Sequence, residues 1–166
     1  TLIITEAIID AATLLQCTDA LQCVSDNLSI LSCFGNLAFT KEAREAVKNL
    51  PKLKEAIIFF DGDQGGLDGI KHVSEIMQQI RPEVKVTAIE TPQKEDVNSL
   101  FVKYDKDCLI QLINERKPVN EIFSSFEPSL IEKGNNTESI TKSGQSFNPK
   151  NHGSDILNTT NPNKII

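Results

Sequence analysis

Two aspartates stand one residue apart in Phe59-Phe60-Asp61-Gly62-Asp63-Gln64-Gly65-Gly66, directly after the apolar run Ala56-Ile57-Ile58. If that run is a strand, residues two apart face the same way, and Asp61 and Asp63 project together from its carboxyl end. That end is where open α/β sheets bind ligands. Glu6 follows an earlier apolar run, Leu2-Ile3-Ile4-Thr5, in the equivalent place, and Asp10 lies one helical turn further on. With the first and third strands as neighbours, in an order such as 2-1-3-4, these carboxylates converge on one crevice. Unpaired, they would repel and raise one another's pKa values. A divalent cation resolves that conflict: Mg²⁺ takes one or two protein carboxylates, keeps several waters and completes its shell with phosphate oxygens. That combination suits phosphoryl chemistry.

A lone Asp-x-Asp is more often a polar turn, so rival motifs matter. A calcium loop of the EF-hand kind needs an acidic residue at its twelfth position, which from Asp61 is His72. A haloacid-dehalogenase phosphatase expects Thr two residues past the second Asp, where Gly65 stands. A receiver domain would carry its acidic pair on the first strand and a Lys late in the chain. None of the three fits.

The elements that must position these side chains alternate between β-like and helical patterns, which points to an α/β fold with a mainly parallel sheet. Strands are expected at 2–5, 29–34, 56–60 and 84–89. A helix is expected over 7–16, with Ile8, Ala12 and Leu15 sharing a face. Residues 17–27 are polar and ambiguous. Gly35 and Asn36 stop the second strand, and Thr40 caps a helix that ends before Pro51. Apolar residues at 67, 70, 73, 76, 77 and 80 repeat at helical spacing up to Pro82, and two closing helices are expected at 97–104 and 108–116. After residue 126 the chain turns to Asn, Ser, Thr, Gly and Lys with few apolar anchors, so 127–166 is expected to be a linker or tail behind a single domain over 1–126.

Composition sets the remaining limits. With 166 residues and 39% apolar content the chain builds one core. It has neither a secretory leader nor an apolar run near the ~18 residues of a membrane span, so it reads as soluble and cytoplasmic. Without an initiator Met it reads as a piece of something longer. Cys17, Cys23, Cys33 and Cys108 match no zinc spacing and read as reduced packing residues. The net charge of −6 falls entirely in residues 1–126, where 13 Lys and Arg face 19 Asp and Glu. Such a domain has weak intrinsic attraction for phosphate backbones. Lys41, Lys71 and Lys94 could touch phosphate, while His72 reads as a helix-surface residue and His152 falls in the tail.

The set Glu6 with Asp10 in TEAIIDA, Gly35 in LSCFGNLAFT, and Asp61 with Asp63 in FFDGDQGG resembles the TOPRIM domain shared by bacterial DnaG-type primases, topoisomerases and some nucleases. The primases, particularly those of mobile elements, are the nearest likeness. They too place an Asp four residues after the Glu, carry a DGDxAG sequence, and have a lysine-aspartate pattern like KEDVN at 94–98. The likeness covers roughly 2–117, with two departures: Ala7 where Gly is usual after the Glu, and Gly65 where primases carry Ala.

The resemblance implies a Rossmann-like TOPRIM fold with a mainly parallel four-stranded sheet flanked by helices. It implies proton transfer or metal positioning by Glu6, and one or two Mg²⁺ ions, with Mn²⁺ as a substitute, on Asp61 and Asp63. In primer synthesis those ions would activate the 3′ hydroxyl and hold a nucleoside triphosphate. Asp96 would add a metal contact, with Asp10, Gly35, Gly66, Asp68 and Asn98 supporting the site. Lys71 and Lys94 are the candidates for nucleotide or nucleic-acid contact. The implied partners are a single-stranded DNA template, a replicative helicase and a zinc-binding module, and the isolated domain would show little primer synthesis. The alternatives are a TOPRIM nuclease, a topoisomerase fragment (for which Tyr104 is a poor nucleophile), or a non-catalytic scaffold of the RecR type.

Overall fold

The computed structural model describes residues 1–124 except Asp26, Asn36 and Leu37. The expected boundary after residue 126, the tail to 166 and His152 lie outside the described residues. The chain runs β1 (Leu2–Thr5), α1 (Ile8–Gln16), α2 (Thr18–Leu21), β2 (Ser29–Ser32), α3 (Lys41–Lys48), β3 (Glu55–Phe59), α4 (Gln64–Ile80), β4 (Lys85–Ala88), α5 (Val97–Asn114), β5 (Lys117–Pro118) and α6 (Val119–Ser124). The strands form one sheet in the order β2-β1-β3-β4-β5. The first four are parallel, as expected, and β5 is an antiparallel fifth strand that the sequence pattern did not announce.

Period-two alternation along the buried strands builds a core on each face of the sheet. Leu2, Ile4, Ala56, Ile58 and Phe60 pack against Val47 of α3, Ile70, Val73 and Met77 of α4, and Ile122 of α6. Ile3, Ile57 and Phe59 pack on the other face against Leu14 and Cys17, against Leu21 of α2, and against Leu100, Leu109 and Ile113 of α5. The spacing read in α4 is therefore its buried stripe. In α1 the face named from sequence is the wrong one. Ile8 is 56% and Leu15 61% exposed, while Asp10, Thr13 and Leu14 are buried. The inward stripe of α1 carries polar groups that find partners, so a count of apolar residues picks the opposite side.

The two closing helices are joined as α5, which breaks at Asp105, where φ 66 and ψ −178 interrupt helical geometry. The expected gap between them thus survives as a kink. Thr40 caps α3 as expected, its side chain accepting from the Ala43 N–H. Cys17 and Cys33 are buried, and all four cysteines are free thiols. Among the described residues no helix is long and apolar enough to cross a membrane.

Candidate metal-binding site at the carboxyl rim of the sheet

Thr5 lies opposite Phe59 in the parallel β1–β3 pair, so the chain leaves both strands at the same level and Glu6 and Asp61 share one rim. The helices that follow diverge: α1 packs on one face and α4 on the other. Such a divergence opens the crevice in which α/β sheets bind ligands. Glu6 Oε2 is shut off from solvent. The Glu6 turn is tied to β2 by Cys33 N–H donating to Thr5 O and Gly35 N–H to Glu6 O, each at 2.9 Å. Gly35 holds φ 127, which only glycine enters at ease. Ala7 sits at φ −106, ψ 158, ordinary extended backbone, so its departure from the family's Gly costs nothing locally.

Asp61 is the electrostatic centre. Burial, and then the negative charges of Glu6, Asp10, Asp96 and Asp63, push its carboxyl up to about 7. Each of these neighbours acts in the same direction. The other aspartates have structural partners as well. Asp63 caps α4, accepting from Gly66 N–H at 2.8 Å. Asp96 caps α5, accepting from Ser99 N–H at 2.6 Å. Asp10 is buried and accepts from the N–H groups of Ala7 and Asn98, both at 3.3 Å. Burial raises its pKa, and those two donors pull it back. Asn98 is bound in turn through its side chain to Thr13 Oγ1. Asp10 and Asn98 are therefore a bracket joining the first turn of α1 to the first turn of α5.

Sequence reading missed what holds the aspartate turn. Gly62 donates its N–H to Glu95 O and accepts from Lys94 N–H, each at 2.8 Å, and Thr91 Oγ1 donates to Phe60 O at 2.6 Å. A Cβ on Gly62 would sit 1.9 Å from Pro92 O, and one on Gly66 2.0 Å from Asp61 O. Both glycines are demanded by backbone packed against backbone. The only hint was the glycine between the two aspartates, which a motif written Asp-x-Asp discards. Lys94 is exposed and holds φ 65 in this clamping loop. Asp68 is exposed on α4 and accepts from Gln64 Nε2 at 3.0 Å; Lys71 is exposed on the same helix.

Among the described residues no three acidic, histidine or cysteine side chains are gathered closely enough to hold an ion as they stand, and Asp10, Asp63 and Asp96 each accept from backbone N–H groups. The donor set still fits a hard divalent cation, which needs one or two carboxylates and fills its shell from water and phosphate. Glu6 and Asp61 would supply the first, and the free oxygens of Asp63 and Asp96 are near enough to act on Asp61 electrostatically. Beside the turn lies a cavity of about 490 Å³ lined by Asp61, Asp63, Gln64, Leu67, Thr91 and Pro92 among others, a size typical of small-molecule sites.

A sequence profile described as Toprim-like matches residues 3–101. The chain belongs to the Toprim-like family. TOPRIM domains generally bind divalent metals. The TOPRIM fold here is similar to that of the Aquifex aeolicus primase comprising zinc-binding and RNA polymerase domains, at TM-score 0.56 and 20% identity over 74% of this chain and 27% of that one. It is similar to the primase fragment of the bacteriophage T7 primase-helicase protein, at TM-score 0.52 and 20% identity over 68% of this chain and 43% of that one. A third similar chain, at TM-score 0.51 and 21% identity over 70% of this chain and 55% of that one, belongs to an assembly of bacteriophage T7 lagging-strand DNA polymerase with primase domains bound to an RNA/DNA hybrid and dTTP. The chain thus spans between about a quarter and about half of the length of these primase structures. No curated protein sequence matches it.

Proposed function

We propose that residues 1–126 are the catalytic TOPRIM module of a DNA primase, performing metal-dependent nucleotidyl transfer on a single-stranded DNA template. The observation that carries this reading is Asp61, held at the rim with Glu6, where among the described residues the charges acting on it, those of Glu6, Asp10, Asp96 and Asp63, are all negative. A fold that retains such repulsion gains from it only when a cation is bound there. Mg²⁺ or Mn²⁺ on Glu6, Asp61 and Asp63, with Asp96 beside them, would supply charge stabilisation for phosphoryl transfer. Asp10 and Asn98 keep the first turns of α1 and α5 in register beneath these groups. The Thr91–Asp96 loop fixes the angle at which the aspartate turn meets the rim. Glu6, with one oxygen buried, is placed to hold or take a proton at the reacting centre.

Primer synthesis needs more than this chain carries, since its acidic surface attracts a template weakly. A zinc-binding module and a replicative helicase in the complete protein would supply that grip, in the cytoplasm, with residues 127–166 as the connecting tail. Calorimetric titration of Mn²⁺ into the wild-type chain and into a double variant, Asp61→Asn with Asp63→Asn, tests the reading. Loss of at least tenfold in affinity in the double variant is expected, and equal affinity in both would leave a scaffold of the RecR type.

A further inference from the structure

On the opposite side of Glu6 from the aspartate turn, β2 is followed by the turn Cys33-Phe34-Gly35. Cys33 is buried in the core, but the next side chain, Phe34, is 69% exposed. Phe34 also holds φ 59, a conformation in which a bulky residue is an outlier, and such outliers collect at functional sites. The turn is pinned on both sides of the ring, by Cys33 N–H to Thr5 O and by Gly35 N–H to Glu6 O, each at 2.9 Å. Phe34 N–H itself donates to Ser32 Oγ at 3.4 Å. The ring is thus presented to solvent by a turn hydrogen-bonded to the backbone of Glu6, the first acid of the rim. Ile8 and Ile9, two and three residues beyond Glu6, are each 56% exposed. Three exposed apolar side chains thus stand on the segments that adjoin Glu6 in the fold and in sequence.

The charge of the domain bears on what an exposed ring at this place could take. With 13 Lys and Arg against 19 Asp and Glu in residues 1–126, the surface gives phosphate backbones little attraction. A nucleobase is uncharged, and every base has a face that stacks on an aromatic ring. We infer that Phe34 is a stacking platform for an unpaired nucleobase delivered to the carboxylate rim. The inference rests on the nucleotidyl-transfer reading and adds a binding residue to it. The base comes either from the template strand or from a free nucleotide, and the two are separable by experiment.

The test is fluorescence anisotropy of a labelled single-stranded oligodeoxyadenylate, with ATP binding measured in parallel by calorimetry, both on the whole chain with Mg²⁺ present. Phe34→Ala should weaken binding about tenfold, the order contributed by one base–aromatic stack, while Phe34→Trp retains it. The dependence of affinity on salt should keep its slope, because no phosphate contact is removed. Phe34→Gly should melt at a higher temperature than wild type, relieved of the positive φ, yet bind as weakly as the Ala variant. Loss confined to the oligonucleotide assigns the base to the template, and loss confined to ATP assigns it to the incoming nucleotide. Wild-type affinity in Phe34→Ala or Phe34→Leu overturns the proposal, as does a wild-type chain that binds neither probe. Mn²⁺ titration keeps the two readings apart: Phe34 variants should retain the wild-type metal affinity that the Asp61→Asn, Asp63→Asn variant loses.

Discussion

The two ends of β3 carry acids in opposite circumstances. At the amino end Glu55 accepts from Arg116 through both carboxylate oxygens, from Nε at 2.9 Å and Nη2 at 3.0 Å. Burial would raise its pKa, but the hydrogen bonds and charge of Arg116, with Lys85 and Thr87, hold it below the ordinary glutamate value. At the carboxyl end burial and four negative neighbours leave Asp61 at about 7. Among the described residues no ion pair reaches Asp61 or Asp63, although these residues include 13 Lys and Arg. The fold therefore compensates charge where the strand begins and withholds compensation where it ends. Stability is invested at one end, and at the other a carboxyl is left without a compensating cation among the described residues.

The comparison can be broken at either end. The largest effect is expected from Gly66→Ala, whose Cβ would meet the Asp61 carbonyl; it should cost about 3 kcal/mol in urea unfolding, and an unchanged midpoint would mean that the turn is not clamped. Next, Arg116→Ala should cost about 2 kcal/mol, less than a fully buried pair because both partners keep some exposure. The Glu55 contribution is present above its unfolded value of 4.5 and disappears as pH falls through the lower folded value, so the variant should lose most of its deficit in acid.

Asp61→Asn runs the other way. The folded carboxyl, at about 7, binds a proton more readily than the unfolded one at 3.8, so the metal-free domain loses stability as pH climbs between those values and is level above them. Removing the charge should stabilise the metal-free domain at pH 8 by about 1 kcal/mol after allowance for solvent screening. That corresponds to a melting temperature about 4 °C higher, with the decline between acid and neutral pH flattened. A decline identical to wild type would erase the difference between the two ends. The smallest effect belongs to Lys48→Ala, which breaks the exposed pair with Glu45 on α3 and should cost under about 0.5 kcal/mol. It serves as the baseline for a charge that neither end uses.

What could be read beforehand followed from local pattern. Strands with alternating burial, the α4 stripe and the cap at Thr40 depend on neighbours a few residues apart, and the strand order that joins Glu6 to Asp61 follows from short right-handed crossovers. The bracket between Asp10 and Asn98 joins residues 88 apart in sequence, and no periodicity encodes it. The exposed side of α1 was misread because Asp10 and Thr13 are buried with partners that only the tertiary structure supplies. Likewise Gly62 gave no sign that its missing side chain makes room for Pro92, since the loop carrying Pro92 arrives from beyond the next strand.

The sheet stops on one side at β5, two residues long, exposed and including Pro118. Proline offers no N–H to a passing chain, and Lys117 is engaged with Glu90 across the edge. A strand from another molecule would find almost no ladder to join there. That blunt margin protects against edge-to-edge aggregation at no expense to the carboxylate rim.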